Sequence, residues 1–360
     1  MNFKDTILYL SKAVVFGLVM AAVFLFVNSI TNNNSFNNGL TTTQHHNELS
    51  FASAVRRAAP AVVNIYSLSL DQNSPLNSSS LQGLGSGVIM SKEGYILTNY
   101  HVIKKADEIV IALQDGRKFT SEVVGSDQIT DLAVLKIEID GDNVPIVPIN
   151  LNNPAQVGDV VLAIGNPYNL GQTITQGIIS ATGRNGLSSG YLDFLQTDAA
   201  INAGNSGGAL IDTGGELIGI NTAAFQIGAE GGGHGINFAI PIKLAHSIMG
   251  KLITNGRVIR GALGISGEPL SPVMAQILNL PDLKGVLVTG VDPNGPASKA
   301  TLRPRDVIIQ YEEESVPGVE MLMDRIAETT PGNQVNITII REGKPLELPV
   351  VIGEKLPTDS

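Results

Sequence analysis

From Val62 to Ile240 the chain passes through short apolar or alternating segments, each broken by Gly, Asn, Asp or Pro. They are Val62–Tyr66, Gly87–Met90, Tyr95–Thr98, Glu108–Leu113, Thr120–Val124, Leu132–Ile137, Val160–Ile164, Thr173–Ala181, Ala209–Ile211, Leu217–Thr222 and Ile236–Ile240. Runs of this length, rich in Val and Ile and bounded by turn formers, read as β-strands, and their spacing suits an all-β sandwich or barrel. Pro241 then opens an amphipathic run, Ile242–Leu252, closed by Asn255-Gly256, which predicts a capped helix at a domain edge.

Beyond Gly256 the pattern changes to mixed strand and helix: Val286–Val291, Val307–Gln310, a helix over Val319–Glu328, then Val335–Ile340 and Leu346–Ile352. That stretch has room for one small α/β-mixed domain. A length of 360 residues accommodates two ordinary domains, and 43% hydrophobic against 16% charged residues describes packed globular material. A net charge of −10 argues against sequence-independent nucleic-acid binding, which needs a basic face. With no cysteine there are no disulfides, thiolate nucleophiles or cysteine metal sites. No His-Glu-x-x-His pair or lysine-bearing phosphate loop is present, so neither a metal nor another cofactor is expected.

The long apolar segment lies at the amino terminus, Ile7 to Ile30, and as a helix it would reach about 36 Å, enough to cross a bilayer. Lys4 and Lys12 precede its apolar core and no Lys or Arg follows until Arg56, which places the amino terminus in the cytoplasm. A cleaved signal peptide is the competing reading, although Val27-Asn28-Ser29 is a poor cleavage site. Thr31 to Asn47, dominated by Asn, Thr and Ser, reads as a flexible tether.

Chemistry is concentrated in Gly204-Asn205-Ser206-Gly207-Gly208. A serine between glycines, ahead of the apolar Ala209-Leu210-Ile211, has its hydroxyl pushed outward and backbone amides free to converge on an anion. The same residues also make an ordinary turn. A serine nucleophile needs a base, and of the five histidines His101 is the one carried off an apolar strand inside the β region. His45 and His46 fall in the tether, His234 in a glycine-rich loop and His246 on the closing helix. A carboxylate held in apolar structure would orient that imidazole, and Asp131, entering Leu132-Ala133-Val134-Leu135, fits; Asp127 and Asp198 are rivals. The order His101, Asp131, Ser206 is that of the chymotrypsin-type triad.

Thr98-Asn99-Tyr100-His101-Val102, Asp131-Leu132-Ala133-Val134-Leu135 and Gly204-Asn205-Ser206-Gly207-Gly208-Ala209-Leu210 resemble the three catalytic blocks of the HtrA serine proteases. The likeness runs from Phe51 to the end and includes Gly85-Ser86-Gly87-Val88-Ile89 and Ala163-Ile164-Gly165-Asn166-Pro167. It implies a mainly β chain: a chymotrypsin-like double β-barrel protease domain, one PDZ-like α/β domain and an N-terminal transmembrane helix. The division expected is 1–30 anchor, 31–50 linker, 51–256 protease and 257–355 PDZ domain. The resemblance further implies an oxyanion hole from the backbone N–H groups of Gly204 and Ser206, and a loop misassembled at rest. Arg184 would be the activation sensor and Pro167 and Tyr168 part of the switched shell.

For the PDZ-like domain the resemblance implies a carboxylate-binding turn at Leu263, Gly264 and Ile265, walled by the helix bearing Met321 and Met323. The sequence departs from the family there: Ala262 replaces a frequent aromatic, Thr301 a Gly, and Arg305 a Gly or Asn. The implied protein is a homotrimer of the bacterial inner membrane with its protease and PDZ domains in the periplasm. Its activators would be C-termini of unassembled outer-membrane proteins and its substrate a membrane-bound anti-sigma factor. Ala223 and Ala224 suggest a small apolar residue before the scissile bond. A general quality-control protease with a cleaved signal peptide and a non-catalytic PDZ scaffold are the alternative readings.

Overall fold

A computed structural model describes residues 15–27, 50–70, 79–139, 143–166, 171–184, 194–222, 235–277 and 284–355. It divides into two units, Met1–Ser50 and Phe51–Ser360. In the first, residues 15–27 form a helix, α1, with exposed side chains. Among the described residues no helix is long and apolar enough to cross a membrane. Residues 1–14 and 28–30 of the expected anchor, and the tether to residue 49, lie outside the described residues.

The second unit begins with helix α2 (Ala52–Ala58) and strand β1 (Val62–Leu70), followed by β2 (Ser79–Ile89), β3 (Tyr95–Asn99), the single turn α3 (Tyr100–Ile103), β4 (Glu108–Ala112), β5 (Lys118–Asp127) and β6 (Leu132–Ile137). These six strands close into a barrel in the order β1-β2-β3-β6-β5-β4. Six more, β7 (Val160–Gly165), β8 (Thr173–Arg184), β9 (Phe194–Thr197), β10 (Ala209–Asp212), β11 (Leu217–Thr222) and β12 (Asn237–Pro241), close a second barrel in the order β10-β11-β12-β9-β8-β7. Helix α4 (Ile242–Asn255) follows, stopped by Gly256 in the left-handed conformation.

Two barrels back to back explain why the strands are apolar in runs rather than in strict alternation. Successive side chains of a strand face opposite sides. In β6, Ala133 and Leu135 fill the first barrel with Val63, Ile65, Ile89 and Ile111. Their neighbours Leu132 and Val134 point the other way, into a core shared with Leu162, Ile164, Ala209 and Ile220 of the second barrel and Ile248 and Leu252 of α4. Both faces are dry, so both must be apolar.

The remaining chain holds β13 (Gly261–Ala262), β14 (Ile265–Pro269), α5 (Pro272–Ile277), β15 (Val286–Val291), α6 (Pro296–Lys299), β16 (Val307–Tyr311), β17 (Glu314–Ser315), α7 (Val319–Glu328), β18 (Gln334–Arg341), β19 (Lys344–Val351) and β20 (Gly353–Glu354). Strands run β14-β15-β16-β18-β19, β13 pairs with β20, and Leu322 and Ile326 of α7 are buried in the same core as Val288, Ile308, Ile337 and Val350. Two of the unusual residues read from the sequence take unusual backbone: Thr301 has φ 63° and Arg305 φ 77°. The left-handed region costs a side-chain-bearing residue about 1–2 kcal/mol, which is why glycine is common there.

This domain is fastened to the first barrel by a buried ion pair. Arg260, just before β13, donates from Nη1 to Asp127 Oδ1 and from Nη2 to Asp127 Oδ2, each at 2.7 Å. Thr130 donates to the same carboxylate from its backbone N at 3.2 Å and from its hydroxyl. Burial opposes ionisation of Asp127, but the hydrogen bonds and positive charge of Arg260, with those from Thr130, outweigh it and hold the carboxyl below its ordinary pKa.

Candidate active site

His101 is positioned by the end of a strand. All of β3 after Tyr95 is buried, and its ladder with β6 ends at the Asn99–Leu132 pair, where the chain breaks into α3. Directly across that break stands Asp131, held at φ 54°, a left-handed position that aspartate tolerates better than most residues. The turn is knitted from both sides. The Tyr100 N–H and the Asn99 side-chain amide donate to Asp131 O at 3.0 and 2.9 Å, and the His101 N–H donates to Asp131 Oδ1 at 2.9 Å.

In this frame His101 Nδ1 lies 2.7 Å from Asp131 Oδ2. Thr222, the last residue of β11 in the other barrel, donates from its hydroxyl to the same oxygen at 3.1 Å. Asp131 is 6% exposed, whereas the imidazole keeps 29% of its side-chain surface open. A buried carboxylate against one nitrogen of a half-open imidazole fixes the tautomer that leaves Nε2 as the acceptor and stabilises the imidazolium once a proton arrives.

Ser206 sits on the tight turn between β9 and β10. Gly204 has φ 100° and Gly207 φ 81°. A Cβ on Gly207 would stand 2.1 Å from Ser86 O and 2.3 Å from Thr98 Oγ1, so no larger residue fits. Ser86 of β2 staples the turn to the first barrel: its N–H donates to Ser206 O at 2.8 Å and its hydroxyl to Gly204 O at 2.7 Å. Thr98, three residues before His101, donates to Ser86 O at 2.7 Å. Across the other barrel the Gly207 N–H donates to Asn221 O at 2.9 Å, and Asn221 precedes Thr222. The serine turn is thereby tied both to the strand that carries His101 and to the strand that bonds Asp131.

Ser206 is 3% exposed, and among the described residues its hydroxyl forms no hydrogen bond with His101. Such bonds commonly tighten only with substrate in place. The N–H groups of Gly204 and Ser206 likewise have no hydrogen-bond partner among the described residues.

The rival carboxylates are engaged elsewhere. Asp127, which the sequence places in a polar turn, is buried against Arg260, a partner 133 positions away that local context does not reveal. Asp198 accepts the Ile178 N–H at 2.7 Å. Ser86, Asn221 and Thr222 carry no sequence signal of their roles beyond standing in apolar strands. Of the expected switch residues, Arg184 ends β8 opposite Phe194, while its side chain and all of Pro167 and Tyr168 lie outside the described residues, as do His234, Ala223 and Ala224. In the last domain Leu263 is buried and its carbonyl accepts the Ala297 N–H, Gly264 has φ 74°, and Ile265 opens β14. Met323 packs partly on that domain's core and Met321 is exposed.

The chain is similar to proteins already known. A trypsin-like peptidase domain matches residues 85–220 and a PDZ domain residues 261–352. The serine endoprotease DegS of Escherichia coli K12 is 49% identical over 96% of this chain and 98% of its own length. DegS of Haemophilus influenzae is 47% identical over the same shares. Among solved structures, the serine endoprotease from Yersinia pestis superposes with a TM-score of 0.70 at 49% identity, covering 85% of this chain and 98% of that one. The HtrA-type protease AlgW with tripeptide gives 0.78 at 48% identity, covering 86% and 99%.

Proposed function

The chain belongs to the HtrA-type serine endoproteases, joining a trypsin-like peptidase domain to one PDZ domain, and from that premise we propose that Ser206, His101 and Asp131 carry its chemistry. His101 Nε2 takes the proton of the Ser206 hydroxyl as the oxygen attacks the peptide carbonyl, and later delivers it to the leaving amine. Asp131 orients the ring and stabilises the imidazolium. The N–H groups of Gly204 and Ser206 receive the oxyanion, a contact worth about 3 kcal/mol per donor. Water then releases the acyl group by the reverse sequence of proton transfers. The observation that carries this reading is the 2.7 Å contact of His101 with a buried carboxylate, beside a serine turn stapled to the same strands.

The finer reading is a stress-sensing protease of the bacterial inner membrane. Residues 1–30 anchor it with the amino terminus cytoplasmic, 31–50 form the tether, 51–256 the protease and 257–355 the PDZ domain. C-termini of unassembled outer-membrane proteins add to the PDZ domain at Leu263, Gly264, Ile265 and Met323. Their arrival, relayed through Arg184, Pro167 and Tyr168, lets the loop at Gly204 aim its amides in a homotrimer that cuts a membrane-bound anti-sigma factor. Full-length similarity to the DegS endoproteases supports this reading. A peptidase assay of the full chain with and without peptides ending in hydrophobic C-termini, repeated with the PDZ domain deleted, tests it. Equal rates throughout would remove the gating, and an unaltered rate in Ser206→Ala would remove the nucleophile.

A further inference from the structure

A second concave site lies in the PDZ domain, outside the peptidase machinery. It is a cavity of about 390 Å³ lined by Ile277 of α5, Arg303 and Arg305 from the turn before β16, and Arg341 and Glu342 from the β18–β19 hairpin. Arg341 is committed: Nε and Nη2 donate to the buried Asp306 carboxylate at 2.8 and 2.7 Å, so the two charges cancel. Arg303 and Arg305 are exposed, and among the described residues their guanidinium groups have no hydrogen-bond or ion-pair partner. Among the described lining residues two free forks face one carboxylate without an arginine partner, Glu342, which leaves this lining positive on a chain whose net charge is −10.

The backbone points the same way. Arg305 stands at φ 77°, where glycine is free of strain and an arginine is not. Its N–H donates to Val288 O at 2.8 Å, a bond that glycine would make equally well. Among the described residues its side chain has no hydrogen-bond or ion-pair partner, and backbone strain of this kind is often kept at binding sites. Ile277 at the cavity rim is 62% exposed, and Val273, one helical turn earlier on α5, is 67% exposed. Paired guanidinium forks beside a small apolar ridge match an amphiphile: a phosphate group continued by hydrocarbon.

We propose that this cavity binds the phosphate of a phospholipid head group, laying α5 against the bilayer. The inference rests on the reading that residues 1–30 anchor the chain in a membrane. On that reading the chain is held at a membrane surface, where phospholipid head groups are the phosphate bearers present in excess. Because the chain as a whole is acidic, diffuse attraction to an anionic surface does not arise, and docking is confined to this pocket.

The chain contains no tryptophan, so Ile277→Trp introduces a single reporter. The full chain carrying it is reconstituted into vesicles of phosphatidylglycerol and phosphatidylethanolamine containing acyl-brominated lipid, and into phosphate-free galactolipid vesicles with the same bromination. The expected result is at least twofold quenching of the indole in phospholipid and little in galactolipid. Arg303→Ala with Arg305→Gly should abolish the quenching while the thermal midpoint stays level or rises, since the glycine relieves the strained turn. Equal quenching in both vesicle types, persistence of quenching in the double variant, or its absence in phospholipid overturns the proposal. So does protection of Arg303 and Arg305 from guanidine-directed labelling by soluble inorganic phosphate with no quenching by lipid. Carbonate washing reports the anchor separately: a chain stripped from the vesicles overturns the anchor reading and this proposal together, whereas a chain that stays but is not quenched overturns only the docking.

Discussion

Asp127 and Asp131 flank one tight turn of the first barrel, are each 6% exposed, and do opposite work because of what faces them. Asp131 meets an imidazole whose charge can come and go and which remains half open to the cleft. Asp127 meets a guanidinium that never loses its proton and is itself buried, 10% exposed. The first pairing is the one proposed to orient a proton carrier; the second is a buried ion pair that fastens one domain to the next. Equal residue type and equal burial therefore do not imply equal role.

The sharpest way to break the comparison is to neutralise each carboxylate in turn. Asp131→Asn should cut kcat by about 10⁴-fold with the thermal midpoint nearly unchanged, because the ring loses its orienting charge. Asp127→Asn should instead leave Arg260 buried without a counter-charge and cost about 3–5 kcal/mol in denaturant unfolding. An asparagine at 127 that left the midpoint unmoved would show that the pair fastens nothing.

Acid titration tests the fastening pair directly. The folded pKa of Asp127 is depressed, so its contribution to stability is present above the unfolded value, about 3.9, and is lost as pH falls through the folded value. Wild-type stability should thus fall steeply below about pH 4. Stability in Asp127→Asn should fall less over the same range, and parallel curves would contradict the assignment.

Smaller changes refine the picture. Thr222→Val removes one hydrogen bond to Asp131 while keeping shape, and should lower kcat by about 10-fold with KM held. An unchanged kcat would place all orientation in the backbone of His101. The smallest expected effect lies in the PDZ domain, where Arg305→Gly should stabilise by about 1 kcal/mol by relieving the left-handed arginine. A loss of stability there would mean that the arginine makes contacts that offset its strain.

How much of this was legible beforehand differs by element. The apolar runs predicted strands at nearly every place where the barrels have them, and α7 occupies Val319–Glu328 as its periodicity indicates. Strand β9 at Phe194–Thr197 was not legible, because four residues give no period to read. His101, Asp131 and Ser206 stood out because each carries a reactive group in apolar or glycine-rich company. Ser86, Asn221 and Thr222 did not, since a hydroxyl or amide in a strand looks alike whether it faces solvent or a catalytic turn. Asp127 was misleading: its neighbours are polar, and the arginine that buries it arrives from the next domain.

By itself the sequence determined the strand-rich class, the helix that closes the second barrel, the change of pattern after Gly256 and the order of the three reactive residues, because these depend on local periodicity and side-chain chemistry. Only the tertiary structure decided which aspartate faces His101, what pins the serine turn, and that Thr301 and Arg305 stand in left-handed backbone. Those outcomes depend on partners tens to more than a hundred positions away, and on the turns that barrel and sheet closure impose, for which a residue's neighbours in the chain carry no information.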